Sequence, residues 1–157
     1  MTNREVNKFI HALKLQWFEK TGRSIPKHAI PVDKYDCDKA NGLTKATLDA
    51  GKYLGGHTIR LSSEGRYRVG ETYQTPAGKI QGKGTWIPGM SKGISDVVMT
   101  LNGETWFIEI KIKDRQIKSQ KEFESKLNQA GGNYIIIRNF DEFRQLVVNM
   151  FNRSSQK

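Results

Sequence analysis

With Cys37 as its only cysteine, the 157-residue chain has neither an intramolecular disulfide nor the thiolate cluster of a structural zinc site. The three histidines, His11, His28 and His57, stand far apart without ligand spacing, so an imidazole-held zinc is not expected either. No apolar run approaches the ~18 residues of a membrane span. No long helical pattern pairs a basic face with a bulky apolar one, as a membrane-surface helix would. A phosphate-cradling P-loop is missing, so ATP dependence is not expected. Cys37 has no histidine near it in sequence, and serine or cysteine nucleophile chemistry is not expected. Internal repeats and low-complexity tracts are lacking too.

Acid is in short supply: 16 Asp and Glu face 26 Lys and Arg, for a formal charge of +10. Such an excess does not set a fold, but it favours polyanionic partners through counterion release. The length suits one compact domain, and a mean hydropathy of -0.63 still leaves apolar residues for an ordinary core. Residues 1–5 lead into a helix charged throughout, unlike a secretory signal. The expectation is a cytoplasmic protein with no membrane contact.

Val6, Phe9, Ile10, Leu13, Trp17 and Phe18 recur at helical spacing over residues 4–20. A second helical pattern runs near 42–54, with Leu43, Ala46, Thr47, Ala50 and Leu54 on one side. Residues 57–61 read as a strand. The stretch from His57 to Ile87 reads as β structure with long, polar connections, with Tyr67 and Tyr73 interleaved among cations and several glycines, a composition suited to a nucleic-acid backbone. Arg60, Arg66, Arg68, Lys79, Lys83, Lys92 and Arg115 are the candidate nucleic-acid contacts. A helix is expected over 118–130, with Gln120 heading a row continued by Phe123, Leu127 and Ala130. Residues 134–137 form a continuous apolar run, the pattern of a buried, parallel strand. A last helix turns Phe143, Leu146, Val147, Met150 and Phe151 inward, and 153–157 reads as a frayed tail. Helix, strands, helix, strand, helix implies an α/β fold around a mixed sheet.

The chemistry concentrates in the middle. Asn102-Gly103 separates two β-rich runs and is a strong hairpin signal, because both central positions of a type I′ turn need positive φ. Side chains alternate along a strand. Asp96 therefore shares a face with Val98 and Thr100, and Glu109 and Lys111 share one with Phe107. Two acids among Val, Ile and Phe carry a large desolvation cost unless a cation compensates. Mg²⁺ or Mn²⁺, held by Asp96, Glu109 and the backbone carbonyl of Ile110, would do so. Lys111 would then stabilise the charge that builds on a phosphate under attack, and Gln120 would orient the attacking water. An exposed cross-strand ion pair is the plain alternative, but apolar residues on both faces of the hairpin argue against an exposed sheet.

These residues resemble the VRR-NUC branch of the PD-(D/E)XK nucleases, which is related to Holliday-junction resolvases. The matching pieces are Lys92-Gly93-Ile94-Ser95-Asp96, Phe107-Ile108-Glu109-Ile110-Lys111, Asp114-Arg115-Gln116 followed by Gln120, and Ala130-Gly131-Gly132-Asn133-Tyr134. The resemblance covers about two-thirds of the chain. It implies a restriction-endonuclease-like core of mixed β-sheet flanked by helices over residues 41–152; residues 1–40 have no counterpart in it and read as a helical extension. It also implies catalytic Asp96, Glu109, Lys111 and Gln120, a divalent metal, and DNA as substrate, branched or flapped structures included. A four-way junction would favour a homodimer, by symmetry matching. Three positions depart from the family pattern. Ser95 stands where Pro is usual, Ile117 where Ser often caps the helix, and Asp49 is the only carboxylate where a helical Glu often joins the site. A one-metal site is therefore expected. The alternative function is a non-catalytic nucleic-acid-binding module of the same fold.

Overall fold

The computed structural model describes residues 1–22, 25–61, 66–68, 70, 72–76, 78–87 and 93–154, with the backbone alone at 66, 67, 73, 86 and 87. Helix α1 (Asn3–Lys20) opens on a reciprocal cap. The Thr2 hydroxyl accepts from the Glu5 amide at 3.3 Å, and the Glu5 carboxylate accepts from the Thr2 amide at 2.7 Å. A single 3-10 turn, Lys27–Ala29, precedes α2 (Ala40–Tyr53), after which comes β1 (His57–Arg60). Short strands β2 (Arg66–Arg68), β3 (Thr72–Thr75), β4 (Gly78–Gln81) and β5 (Thr85–Ile87) lead to β6 (Val97–Leu101) and β7 (Glu104–Ile110). Then come α3 (Lys118–Gln129), β8 (Asn133–Ile137) and α4 (Phe140–Ser154).

Four strands build the central sheet in the order β1-β6-β7-β8, antiparallel except for the parallel pair β7 and β8. This mixed sheet with flanking helices is the α/β architecture expected. The Asn102-Gly103 turn forms as anticipated, with φ of 51° and 77°. Alternation then splits the sheet into two faces. Val97, Met99, Leu101, Ile108, Ile110 and Ile137 are buried with α1, α2 and α4, in one core. Val98 and Phe107, an opposed pair, belong to the other face, over which α3 lies.

Three details differ from expectation. The apolar run 134–137 forms an edge strand, and only Ile137 of it is buried. Phe151 is 40% exposed, near the end of α4. Arg153 and Ser154 continue that helix instead of fraying, and the Arg153 guanidinium lies over the Trp106 ring. Residues 155–157 lie outside the described residues. No described helix is long and apolar enough to cross a membrane.

The first forty residues share the core. Val6 and Ile10 are buried in the same cluster as the sheet. The strap from 31 to 37 is tied along α1. The Lys14 ammonium donates to the Pro31 carbonyl (3.0 Å) and to Asp33 (2.7 Å), and Asn7 and Asn3 accept from the Tyr35 and Cys37 amides (both 2.9 Å). Ile10→Ala should therefore cost about 2–5 kcal/mol in a urea unfolding series, as for a core position. A loss well below ~1 kcal/mol would show that α1 is an appendage.

Candidate active site

Asp96 immediately precedes β6, and its backbone carbonyl accepts from the Leu61 amide at 2.8 Å. That bond fixes the residue at the mouth of the sheet. Its carboxylate Oδ2 accepts from the Ile110 amide at 2.8 Å, so Asp96 lies directly against the peptide that follows Glu109. Across the hairpin, Glu109 shares the α3 face with Phe107, as period-two counting required. The Phe123 ring of α3 meets Phe107 edge-on at 5.6 Å and Tyr134 at 6.2 Å, closing that face over the carboxylate.

Glu109 is 1% exposed. Its Oε1 accepts from Gln120 Nε2 at 2.5 Å and pairs with Lys111 Nζ at 3.0 Å. Its Oε2 is buried and has no hydrogen-bond partner. Leaving a buried acceptor unpaired costs about 1–3 kcal/mol. Burial pushes the Glu109 carboxyl up to about 7, the charge of Asp96 adds to the rise, and Lys111 opposes it.

Gln120 is held at both ends of its amide. Oε1 accepts from the Ile117 amide at 3.0 Å, which leaves Nε2 to donate to Glu109. The missing serine cap at Ile117 is thus replaced by Gln120 itself, reaching back from the first turn of α3. Its expected role shifts accordingly, from orienting water to orienting Glu109. Gly93 seats that helix end. It is buried with φ of +79°, and a Cβ there would lie 2.3 Å from the Ser119 carbonyl oxygen and 2.8 Å from the Gln120 nitrogen.

The structure thus brings Asp96, Glu109, Lys111, Gln120 and the Ile110 peptide together. Asp49 does not join them: on α2 it accepts from the Tyr35 hydroxyl at 2.8 Å. Arg60 is set apart as well. It is paired with Val97, on the core-facing side, and its guanidinium donates to Asn41 of α2 at 2.7 Å. Arg68, Lys79, Lys83 and Arg115 are exposed; the side chain of Arg66 and the whole of Lys92 lie outside the described residues. Sequence reasoning missed Gln116 and Tyr134 as site neighbours. Gln116 Nε2 donates to Glu124 (2.8 Å) and to the Tyr134 hydroxyl (3.4 Å). Burial holds that phenol well above its ordinary range, with Glu109 and Asp96 adding to the effect.

A divalent cation fits this donor set. Glu109 Oε2 is a buried oxygen without a partner, and Asp96 Oδ1 receives no hydrogen bond from the described residues. No group of three or more His, Cys, Asp or Glu gathers among the described residues. Two carboxylates and a carbonyl match an ion that retains several waters, as Mg²⁺ does. Nucleophilic alternatives are poorer. Burial pushes the Cys37 thiol up to about 11, which makes it inert at neutral pH. Residues 89–93 spell Gly-x-Ser-x-Gly, and 89–92 lie outside the described residues. Compared with family models, curated proteins and solved structures, the chain matches none.

Two outcomes follow. Glu109 titrates near 7 when folded, above its ordinary 4.5, so the folded state holds the extra proton between these values. Its contribution to stability is full below about pH 4.5 and is lost as pH rises through about 7. Denaturant titrations without divalent cations should show this decline, and Glu109→Gln should flatten it; equal pH profiles would contradict the assignment. Gly93→Ala should lower stability by about 1–3 kcal/mol through overpacking and strain. An unchanged midpoint would show that the loop does not seat α3.

Proposed function

We propose that the chain is a divalent-metal-dependent DNA endonuclease with a restriction-endonuclease-like core of the VRR-NUC type. One observation carries the reading: a buried carboxylate, Glu109, has one oxygen saturated by Lys111 and Gln120 and the other free, beside Asp96. Such a half-satisfied pair is costly as a purely structural feature, and a cation offsets the cost. The charge of +10 supports a polyanionic substrate.

In this reading Asp96, Glu109 and the Ile110 carbonyl hold Mg²⁺ or Mn²⁺. The ion supplies Lewis-acid neutralisation of phosphate charge and acidifies water. Lys111 Nζ, tethered 3.0 Å from Glu109, places a second positive charge where negative charge grows on the phosphate oxygens. Water attacks phosphorus and gives up a proton to solvent, the bond to the leaving sugar oxygen breaks with its electron pair, and that oxygen takes up a proton from solvent. Gln120 acts as a positioning residue: its bond to Oε1 would hold Glu109 in place and leave Oε2 available to a cation. The protein works inside the cell on DNA, and flapped or branched structures fall within its substrate range.

Labelled duplex, flap and four-way-junction DNA incubated with Mg²⁺, Mn²⁺ or EDTA tests the proposal. Cleavage should need the metal. Asp96→Ala, Glu109→Ala and Lys111→Ala should each lower it by about 100-fold or more. Gln120→Ala should lower it by about 10–100-fold, as outer-shell changes do. DNA binding without metal-dependent cleavage in the wild-type protein would leave only a binding module.

A further inference from the structure

Between β1 and β6 lie two antiparallel two-stranded ladders, β2–β5 and β3–β4. The pairs Arg68 with Thr85, Thr72 with Gln81, and Thr75 with Gly78 belong to a single register, so β3–β4 continues β2–β5 toward the tip. The strands stay close across the interruption: a Cβ on Gly70 would lie 2.2 Å from the Gly82 carbonyl oxygen. Alternation along this register places Arg68 and Thr85, Thr72 and Gln81, and Gln74 and Lys79 on one face, and all six are exposed. None of these six is acidic or apolar, and the Arg66–Ile87 pair falls at the same alternation. Lys83, also exposed, adds a third cation in the connection between β4 and β5. The other set of positions holds Ile80, paired with Tyr73, and Gly78. Arg68, Lys79 and Lys83 form no ion pair among the described residues. A solvated surface ribbon ordinarily mixes charge signs, because like charges on one face of a pair repel. Here each paired cation faces a neutral partner, Arg68 opposite Thr85 and Lys79 opposite Gln74, and no described acid shares the face.

Shape selects the anion. From the Arg66–Ile87 pair to the Thr75–Gly78 pair the register advances nine positions, which at ~3.4 Å each is about 30 Å, close to the ~34 Å of one turn of B-form DNA. Two strands ~4.8 Å apart fit the ~12 Å major groove, where Arg, Lys and Gln are the side chains that bond base edges. The major groove of A-form RNA is too narrow to admit them. Chain connectivity ties the ribbon to the candidate site: Leu61, five residues before β2, donates its amide to the carbonyl of Asp96, nine residues after β5.

We infer that this ribbon is a major-groove grip, so that the substrate must carry about one turn of B-form duplex beside the scissile phosphate. The inference rests on the nuclease reading for its polymer, but its test needs no cleavage. Full-length protein is titrated in EDTA, by fluorescence anisotropy, against a 20-base-pair DNA duplex, the matching RNA duplex and single-stranded DNA. Wild-type protein should bind the DNA duplex best. The variant R68Q/K79Q/K83Q should bind it about 30-fold or more weakly, with a salt slope shallower by about 2–3. Ile80→Ser, on the opposite face, should bind as wild type does. Glucosylated hydroxymethylcytosine, which fills the major groove, should weaken wild-type binding, whereas a minor-groove-binding drug should not. That arm keeps the proposal falsifiable should the triple variant fail to fold. Unchanged duplex affinity in a folded triple variant would overturn the inference. So would equal losses on all three polymers, a loss on anionic phosphatidylserine vesicles with none on duplex, or indifference to glucosylation. A cleavage-dead Asp96→Ala protein that still shows this binding pattern separates the grip from the chemistry.

Discussion

The hydrogen bond from Gln120 to Glu109 joins two parts of the molecule that the chain separates, the first turn of α3 and the far end of the central hairpin. It does so with an amide whose other end caps the same helix. The side chain therefore has little rotational freedom left, and Glu109 inherits that rigidity. A buried carboxylate free to turn would seek solvent or fold onto Lys111 with both oxygens. Pinned by Oε1, it keeps Oε2 buried and without a hydrogen-bond partner among the described residues. Burial then does the electrostatic work. It raises the proton affinity of the carboxylate, amplifies the pull of Lys111, and makes an added cation more valuable than it would be in water. Gly93 belongs to the same device, because only a residue without a side chain lets the loop before Asp96 cross the α3 terminus.

Much of this was legible in the residues. Asn102-Gly103 located the turn, and counting by twos from it put Asp96 and Glu109 on one face before any pairing was known. Glu109-Ile110-Lys111 among Val, Ile and Phe signalled buried charge. Gln120 at the head of an inward row marked α3 as a cover for that face. Other features depended on contacts that no local pattern encodes. That Gln120 bonds Glu109 follows from where α3 lands. Tyr134 reached the site face only through the parallel pairing of β8 with β7. Arg60 and Ile59 alternate, and only the register with β6 shows that Arg60 turns toward α2.

The misread strand has a physical cause. Tyr134 to Ile137 is apolar on both faces because α3 and α4 flank it, and hydropathy reports covered faces without reporting an uncovered edge. The amino-terminal segment shows the converse. Its helical stripe was plain, but the strap that follows is tied to it by Asn7 and Asn3 oxygens accepting from the Tyr35 and Cys37 amides, which polar residues in a helix do not announce. The ribbon needed both levels: composition gave its positive charge, and register showed that the described cations share the exposed polar side with amides and hydroxyls.

The most direct measurement is an anomalous-difference map from crystals of the protein soaked in Mn²⁺. The account predicts a single strong peak between the two carboxylates, roughly 2.0–2.6 Å from Asp96 and Glu109 oxygens, with the Glu109 to Gln120 bond intact. A well-diffracting crystal with manganese bound elsewhere, or with no peak at that pair, would contradict it.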